Sequence, residues 1–262
     1  MISARDRQRM IAKIKNVSRE KVFFDPENVH LNEEEERLLQ DMTERYNKDE
    51  PLSKILNCRS FWKHDFFVNG DVLDPRPETE ILIEAVLKRF GVQSSLNFLD
   101  VGTGSGCILL SLLHEYKNSR GIGIDISPGA IDVAKHNREK FEIKNADFRA
   151  SDWKDFRCEG EIDIVVSNPP YIKTGDLNSL DRNVRNYDPL PALDGGETGL
   201  DAYVSICESA KGWLKPGGSI FFEIGRGQEI DVSAILRSKD FEIIEIRKDY
   251  GGIARIVEAI RK

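Results

Sequence analysis

No apolar run in this 262-residue chain approaches the roughly 20 residues that a membrane-spanning helix needs. The longest lies around Ile108–Leu113. Residues 1–21 lack the apolar core of a secretory signal. They carry Arg5, Arg7, Arg9, Lys13, Lys15, Arg19 and Lys21 against Asp6 and Glu20. Serine is too sparse there, and acids too evident, for an organelle transit peptide. The expectation is a solvated helix face on a cytoplasmic protein. Metal ligands are lacking as well. The four cysteines, Cys58, Cys107, Cys158 and Cys207, form no CxxC pair. Cys107 and Cys207 sit among apolar residues and read as reduced core thiols. None of His30, His64, His114 and His136 pairs with Cys or Asp at ligand spacing, so no metal is expected. Positive charge is also short. A net charge of −7 argues against a chain-wide nucleic-acid surface and leaves room only for a local basic patch. There is no internal repeat and no low-complexity tract.

What is present is ordinary globular composition, 40% hydrophobic and 32% charged, in a length that suits one sizeable domain and a small one. Residues 1–56 read as helical. Met10, Ile11, Ile14 and Val17 recur at helical spacing. A second helix starts at Asn32, with Glu35 completing a capping box. Leu38, Leu39, Met42 and Tyr46 form its apolar stripe. The Glu33–Glu36 run suits the dipole at a solvated helix start rather than an acidic site. So small a segment is expected to have little core of its own. Residues 57–76 read as a hairpin linker, because Asn69-Gly70 lies between the apolar runs Phe61–Val68 and Asp71–Leu73. Pro75-Arg76-Pro77-Glu78-Thr79-Glu80 is a stiff strap leading into a helix.

From Leu96 onward strands and helices alternate. Strands are expected at 96–101, 121–125, 147–150, 162–167, 219–224, 241–247 and 253–260. Helices are expected at 105–116, 127–140, 201–214 and 229–237. Ser127 caps one of them with Pro128 at its first position. Only Lys248–Gly252 separates the last two strands, too few residues for a parallel crossover, so one of them runs antiparallel. The fold class is therefore α/β. It is a doubly wound, Rossmann-like sheet of about seven strands with one antiparallel strand at the C-terminus, preceded by a small helical domain and a β-hairpin.

Two stretches carry chemistry. Asp100-Val101-Gly102-Thr103-Gly104-Ser105-Gly106 joins the first strand to its helix. Its glycines allow close backbone approach, and the helix N-terminus behind them favours a carboxylate. Cys107 stands where a dinucleotide fingerprint wants its third glycine, which disfavours NAD. Asp125 ends the second strand, where an acid can hold ribose hydroxyls. Trp153 follows the third, either beside an adenine or as a rim aromatic. The other stretch is Asn168-Pro169-Pro170-Tyr171, directly after the apolar run Ile162–Ser167. An amide acceptor, carbonyls held outward by two prolines and one flat ring suit a planar NH2 group.

The glycine loop, Asp125 and the N-P-P-Y tetrapeptide together resemble a class I S-adenosylmethionine-dependent methyltransferase acting on a planar amino group. Further stretches resemble the release factor glutamine methyltransferases: Glu50–Trp62, the P-R-P-E-T-E strap, Phe221–Gln228 (F-F-E-I-G-R-G-Q) and Asp249-Tyr250-Gly251. The likeness runs from about residue 20 onward. There are two departures: the N-terminal helical region is shorter than is usual in that family, and Asp74 stands where an apolar residue is usual. The resemblance implies that Gly102, Thr103, Gly104, Ser105 and Gly106 cradle the methionine part of the cofactor. Asp125 would bind its ribose, Trp153 would lie by the adenine, and Asn168 would border the same site. It also implies that Asn168 and Pro169 hold the target amide, with Pro170 beside them and Tyr171 stacking on it. The implied partner is a class I peptide release factor, methylated on its Gly-Gly-Gln glutamine by a monomer with no stable nucleic acid. Residues 1–56 would recognise the substrate and 77–262 form the methyltransferase domain. The rival enzyme reading is an amino methyltransferase for a nucleic-acid base, adenine N6 or rRNA guanine N2, which would flip its target into the pocket. A non-catalytic cofactor-binding module has no use for an amide clamp.

Overall fold

The computed structural model describes residues 2–25, 29–158 and 162–262. They fall into two compact units, one of residues 1–58 with 181–187, the other of 59–180 with 188–262. The first unit holds α1 (Ala4–Lys15), α2 (Arg19–Phe24), α3 (Glu33–Asn47) and α4 (Leu52–Leu56). Ser3 and Ser18 cap α1 and α2. The capping box of α3 is formed: Asn32 Oδ1 accepts from the Glu35 N–H at 2.9 Å, and the Glu35 carboxylate accepts from the Asn32 N–H at 2.8 Å. Contrary to expectation, the unit has a core of its own, built on Met10, Ile11, Val22, Leu39, Ile55 and Leu56. Helix α2 contributes Val22 to it. Leu38 does not belong to the stripe; it is 48% exposed, because positions 39, 42 and 46 already fill the inward face.

The hairpin of the second unit is not where the Asn-Gly signal puts it. β1 (Arg59–Phe61) pairs with β2 (His64–Phe66), and the turn is Trp62-Lys63, with Trp62 at a left-handed φ of 52°. The Trp62 N–H donates to the Glu80 carboxylate at 2.7 Å, and its indole N–H donates to Glu115 at 2.8 Å. Two distant carboxylates thus hold a turn that no local residue announces. Asn69 instead closes an Asx turn, its Oδ1 accepting from the Asp71 N–H at 3.0 Å.

After a short 3-10 turn at Pro77–Thr79 come α5 (Glu80–Arg89), β3 (Asn97–Val101), α6 (Cys107–Glu115), β4 (Arg120–Asp125), α7 (Pro128–Lys140), β5 (Ala146–Ala150) and β6 (Ile162–Ser167). Then follow α8 (Asp201–Trp213), β7 (Leu214–Glu223), α9 (Glu229–Ser238), β8 (Phe241–Lys248) and β9 (Ala254–Arg261). Ser127 caps α7 ahead of Pro128, as expected. The seven strands lie in the order β5-β4-β3-β6-β7-β9-β8, and β9 runs antiparallel to both neighbours. β7 begins earlier than expected. Lys215-Pro216-Gly217-Gly218 lies within the strand rather than ending the helix, and the register shift opposite β6 absorbs it.

Alternation places Phe98, Ile164, Val166 and Phe221 on one face, packed with α5, α6 and α7. Leu99, Val101, Val165, Ile220 and Phe222 face the other way, against α8 and α9. Cys107 and Cys207 are buried free thiols, one on each side. Asn137 of α7 is fully buried and ties the hairpin exit to the glycine loop. Its Oδ1 accepts from the Phe67 N–H at 2.7 Å, and its Nδ2 donates to Phe67 O at 3.0 Å and Ser105 O at 2.9 Å. No helix among the described residues is long and apolar enough to cross a membrane.

Candidate active site

The strand order reverses between β3 and β6, and a doubly wound sheet leaves a crevice at the carboxyl ends of such a pair. The Ser167 hydroxyl donates to Val101 O at 2.6 Å, locking the two strand ends side by side. The glycine loop leaves β3 there, and Asn168-Pro169-Pro170-Tyr171 leaves β6. A cavity of about 730 Å³ opens between them. Gly102, Thr103, Gly104, Ser105, Asp125, Trp153, Asn168 and Pro170 all line it.

The loop is folded by its glycines. Gly102, Gly104 and Gly106 have φ of 72°, 53° and 78°. The N–H groups of Gly102 and Thr103 both donate to Ile124 O at 2.9 Å. A side chain at Gly102 or Gly104 would meet only open space, so these two bare positions form a cradle toward the cavity. Gly106 differs. It is off the cavity wall, and a Cβ there would lie 3.1 Å from Leu110 and from Phe148. Its role is the close packing of α6 on the sheet. The N-terminus of α6 has no side-chain cap, and Cys107 and Ile108 border the cavity, so its first-turn N–H groups suit an anion.

Asp125 accepts twice from backbone: Oδ2 from the Gly104 N–H and Oδ1 from the Ser127 N–H, both at 2.9 Å. Burial raises its pKa, partly offset by those bonds. Trp153 lines the cavity with its indole N–H donating to Ser205 of α8 at 2.9 Å. Asp71, Asp74, Asp125, Asp194 and Asp201 line the cavity against Arg76 and Lys154, an acid excess that suits a cationic ligand. Asp74 is buried. Bare glycines, an uncapped helix end and this acid excess together fit an amino-acid sulfonium such as S-adenosylmethionine.

At the other wall, Asn168 Nδ2 donates to Thr79 Oγ1 of the strap at 3.2 Å. Arg76 of the strap pairs with the buried Asp188 at 2.7 Å. Pro169 and Tyr171 do not reach the cavity lining. Pro169 is buried, and the Tyr171 ring packs against Gly225 and the second core cluster. Burial pushes the Tyr171 phenol up to about 12. Gln228 braces this segment: its Nε2 donates to Tyr171 O and Gly199 O at 3.1 Å, and its Oε1 accepts from the Gly225 N–H at 2.9 Å.

Sequence reasoning passed over Thr79, Asp100 and Glu223. Asp100 is buried under the loop, with the Thr103 hydroxyl donating to it at 2.6 Å. Glu223 ends β7, buried beside Thr79 and Asn168, whose side chains both favour its charged form. Burial pushes both carboxyls up to about 7. Their one signal was position, an acid at the end of an apolar strand.

The methyltransferase-domain family model matches residues 92–241. The release factor glutamine methyltransferase of Rhodospirillum rubrum is 41% identical over 233 residues, 87% of this chain and 70% of that protein. The enzyme of the same name from Agrobacterium fabrum is 38% identical over 258 residues, 96% of this chain and 88% of that one. Among solved structures, a methyltransferase from Pyrococcus furiosus superposes with a TM-score of 0.57 at 16% identity, over 85% of this chain and 98% of that one. That likeness bears on the fold alone. On the identity and coverage of its relatives, the chain belongs to the release factor glutamine methyltransferase family.

Proposed function

We propose that the protein moves a methyl group from S-adenosylmethionine to the side-chain amide nitrogen of the Gly-Gly-Gln glutamine in class I peptide release factors. The observation that carries this reading is the Asn168 side chain, its Nδ2 held by Thr79 and its amide on the cavity wall opposite the glycine cradle. Family membership supports the choice of substrate. When bound, the cofactor supplies an electrophilic methyl on a sulfonium. Gly102, Thr103, Gly104 and Ser105 hold its amino-acid end, and the α6 N-terminus meets the carboxylate. Asp125 takes the ribose, and Trp153 flanks the base.

An amide nitrogen is a weak nucleophile because its lone pair is delocalised into the carbonyl. Asn168 Oδ1, on the cavity wall, accepts one hydrogen of the target NH2. That directs its lone pair toward the methyl and favours a pyramidal nitrogen. Positioning and electrostatics then supply most of the rate. The proton leaves after transfer, when the nitrogen is cationic, so no strong base is required. Tyr171 acts in this scheme through the rigidity of its backbone. Pro170 forms the wall beside Asn168.

Methyl-transfer assays on a release factor, an RNA and a DNA in parallel test the reading. Incorporation into the release-factor glutamine is expected, and incorporation only into nucleic acid overturns it. Asp125→Ala is expected to weaken cofactor binding by about 1.5–3 kcal/mol, the range for hydrogen bonds to a charged group, measured by calorimetry. The loss includes the release of Gly104 and Ser127 from its carboxylate. We assign the helical residues 1–56 to recognition of the folded substrate protein, and 77–262 to methyl transfer, with the monomer as the working unit. Removing residues 1–56 is expected to leave cofactor affinity nearly intact. Turnover on a full-length release factor should fall more than turnover on a short Gly-Gly-Gln peptide.

A further inference from the structure

The Asn168 amide is planar, with two N–H donors at one end and one acceptor oxygen at the other. Its Nδ2 donates to Thr79 Oγ1 at 3.2 Å, and the same side chain lies beside the Glu223 carboxylate, where it favours the charged form. Thr79 cannot set the direction of this amide by itself, because a hydroxyl both donates and accepts. An ionised carboxylate only accepts. Facing one, the amide must present its nitrogen, which turns Oδ1 toward the cavity. Glu223 is 2% exposed, and its Oε2 has no hydrogen-bond partner among the described residues.

We propose that Glu223 is a positioning residue for the methyl-transfer reaction: its carboxylate, with Thr79, fixes the Asn168 amide so that Oδ1 faces the substrate. The inference rests on the amide-methylation reading given above. Once protonated, Glu223 carries an O–H donor beside its remaining acceptor, and turning Asn168 Oδ1 toward that O–H satisfies it. The amide NH2 then faces the target NH2, donor against donor, and the clamp is lost. The charge on Glu223 thus acts as a switch on the substrate site.

The groups around Glu223 set where this occurs. Burial pushes its pKa up to about 7, opposed by the Thr79 hydroxyl, by Arg255 of β9 and by the Asn168 amide. Glu78 of the strap acts in the same sense as burial. Tyr171 after β6, Tyr203 of α8 and Cys107 of α6 also face it, and each is held neutral by its own burial. Asp100 is the other carboxyl pushed up to about 7, and it lies under the glycine loop.

The direct test is NMR of the cofactor-free protein labelled with nitrogen-15, with the Asn168 side-chain amide assigned by its loss in Asn168→Ala. Its signals should shift with a midpoint near pH 7. The shift should vanish in Glu223→Gln and persist in Asp100→Asn. Thr79→Val, which removes a bond favouring the charged form, should move the midpoint upward. The parallel measurement is the pH dependence of kcat on a release factor. From pH 8 to pH 6 the ionised fraction of a group titrating near 7 falls about tenfold, and kcat should fall with it. Glu223→Gln should lower kcat and flatten that limb while leaving cofactor affinity unchanged. Asn168 signals that do not titrate, or that titrate alike in Glu223→Gln, overturn the proposal. If the wild-type protein methylates no release factor, the substrate reading fails, and the NMR titration still decides the role of Glu223.

Discussion

Asn168→Ala is expected to lower turnover by about 10²–10³-fold, the cost of deleting one preorganised hydrogen-bonding group from a transition-state clamp. The substitution removes the acceptor that faces the target amide and leaves one of its N–H groups unpaired in a desolvated cavity. It also releases Thr79, which accepts from the Asn168 amide, and removes a group that favours the charged form of Glu223. Cofactor affinity should change far less, because the cradle is built by a different loop on β3. Turnover and calorimetric affinity, measured side by side, separate the two effects. Asn168→Asp is a sharper probe. It keeps an acceptor but sets a second carboxyl beside a buried one, and two such groups cannot both ionise cheaply. It should recover activity only at high pH. A wild-type rate from Asn168→Ala would leave Asn168-Pro169-Pro170-Tyr171 as a connector.

Asp100 should govern how the stability of the cofactor-free protein depends on pH. Burial holds its carboxyl neutral and pushes its pKa from 3.8 to about 7, against the pull of the Thr103 hydroxyl. A carboxyl raised on folding binds its proton more tightly in the native state. Its contribution is fully present below pH 3.8 and is lost as the pH climbs through 7. That interval corresponds to about 4 kcal/mol, at 1.36 kcal/mol for each pH unit. Asp100→Asn cannot ionise. The difference in stability between variant and wild type should therefore shift in the variant's favour by about that amount between pH 4 and pH 8. Urea denaturation at a series of pH values measures it. Glu223 has the same sign over a similar range, so the double substitution Asp100→Asn with Glu223→Gln should flatten the profile further.

Much of the larger unit was legible because its signals are local. Ile162–Ser167 is an apolar-rich run, interrupted by the half-buried Asp163, and the strand occupies those residues. Ser127-Pro128 announces α7 by a cap and a fixed φ, both properties of adjacent residues. The short link between the last two strands forces the antiparallel strand on grounds of chain length alone. The failures share the opposite property. The hairpin turn at Trp62-Lys63 depends on Glu80 and Glu115, far along the chain, while Asn69-Gly70 found a closer partner in Asp71. The glycine run read as one cradle divides in space, with Gly102 and Gly104 toward the cavity and Gly106 toward Leu110 and Phe148. Tyr171, read as a stacking face, turns its ring toward Gly225, a neighbour set by the β6–β7 pairing. Glu223 was invisible as a functional residue because its partners, Thr79 and Asn168, come from two other segments.

The place of β9 in the sheet bears on how the protein is made. β9 follows β8 in the chain, yet it lies between β7 and β8 and is hydrogen-bonded to both. On the ribosome, β3 to β6 can pair as they emerge, but β8 leaves the exit tunnel with no strand to join. Until residues 254–261 follow, β7 presents a bare edge lined by Ile220 and Phe222, and such edges recruit other nascent chains. A message cut short after β8 would therefore yield a polypeptide whose cavity-lining residues have all been synthesised but whose sheet stops at β7, with β8 unpaired. Pulse-labelled stalled chains of increasing length should become protease-resistant in one late step, when β9 clears the tunnel, rather than strand by strand.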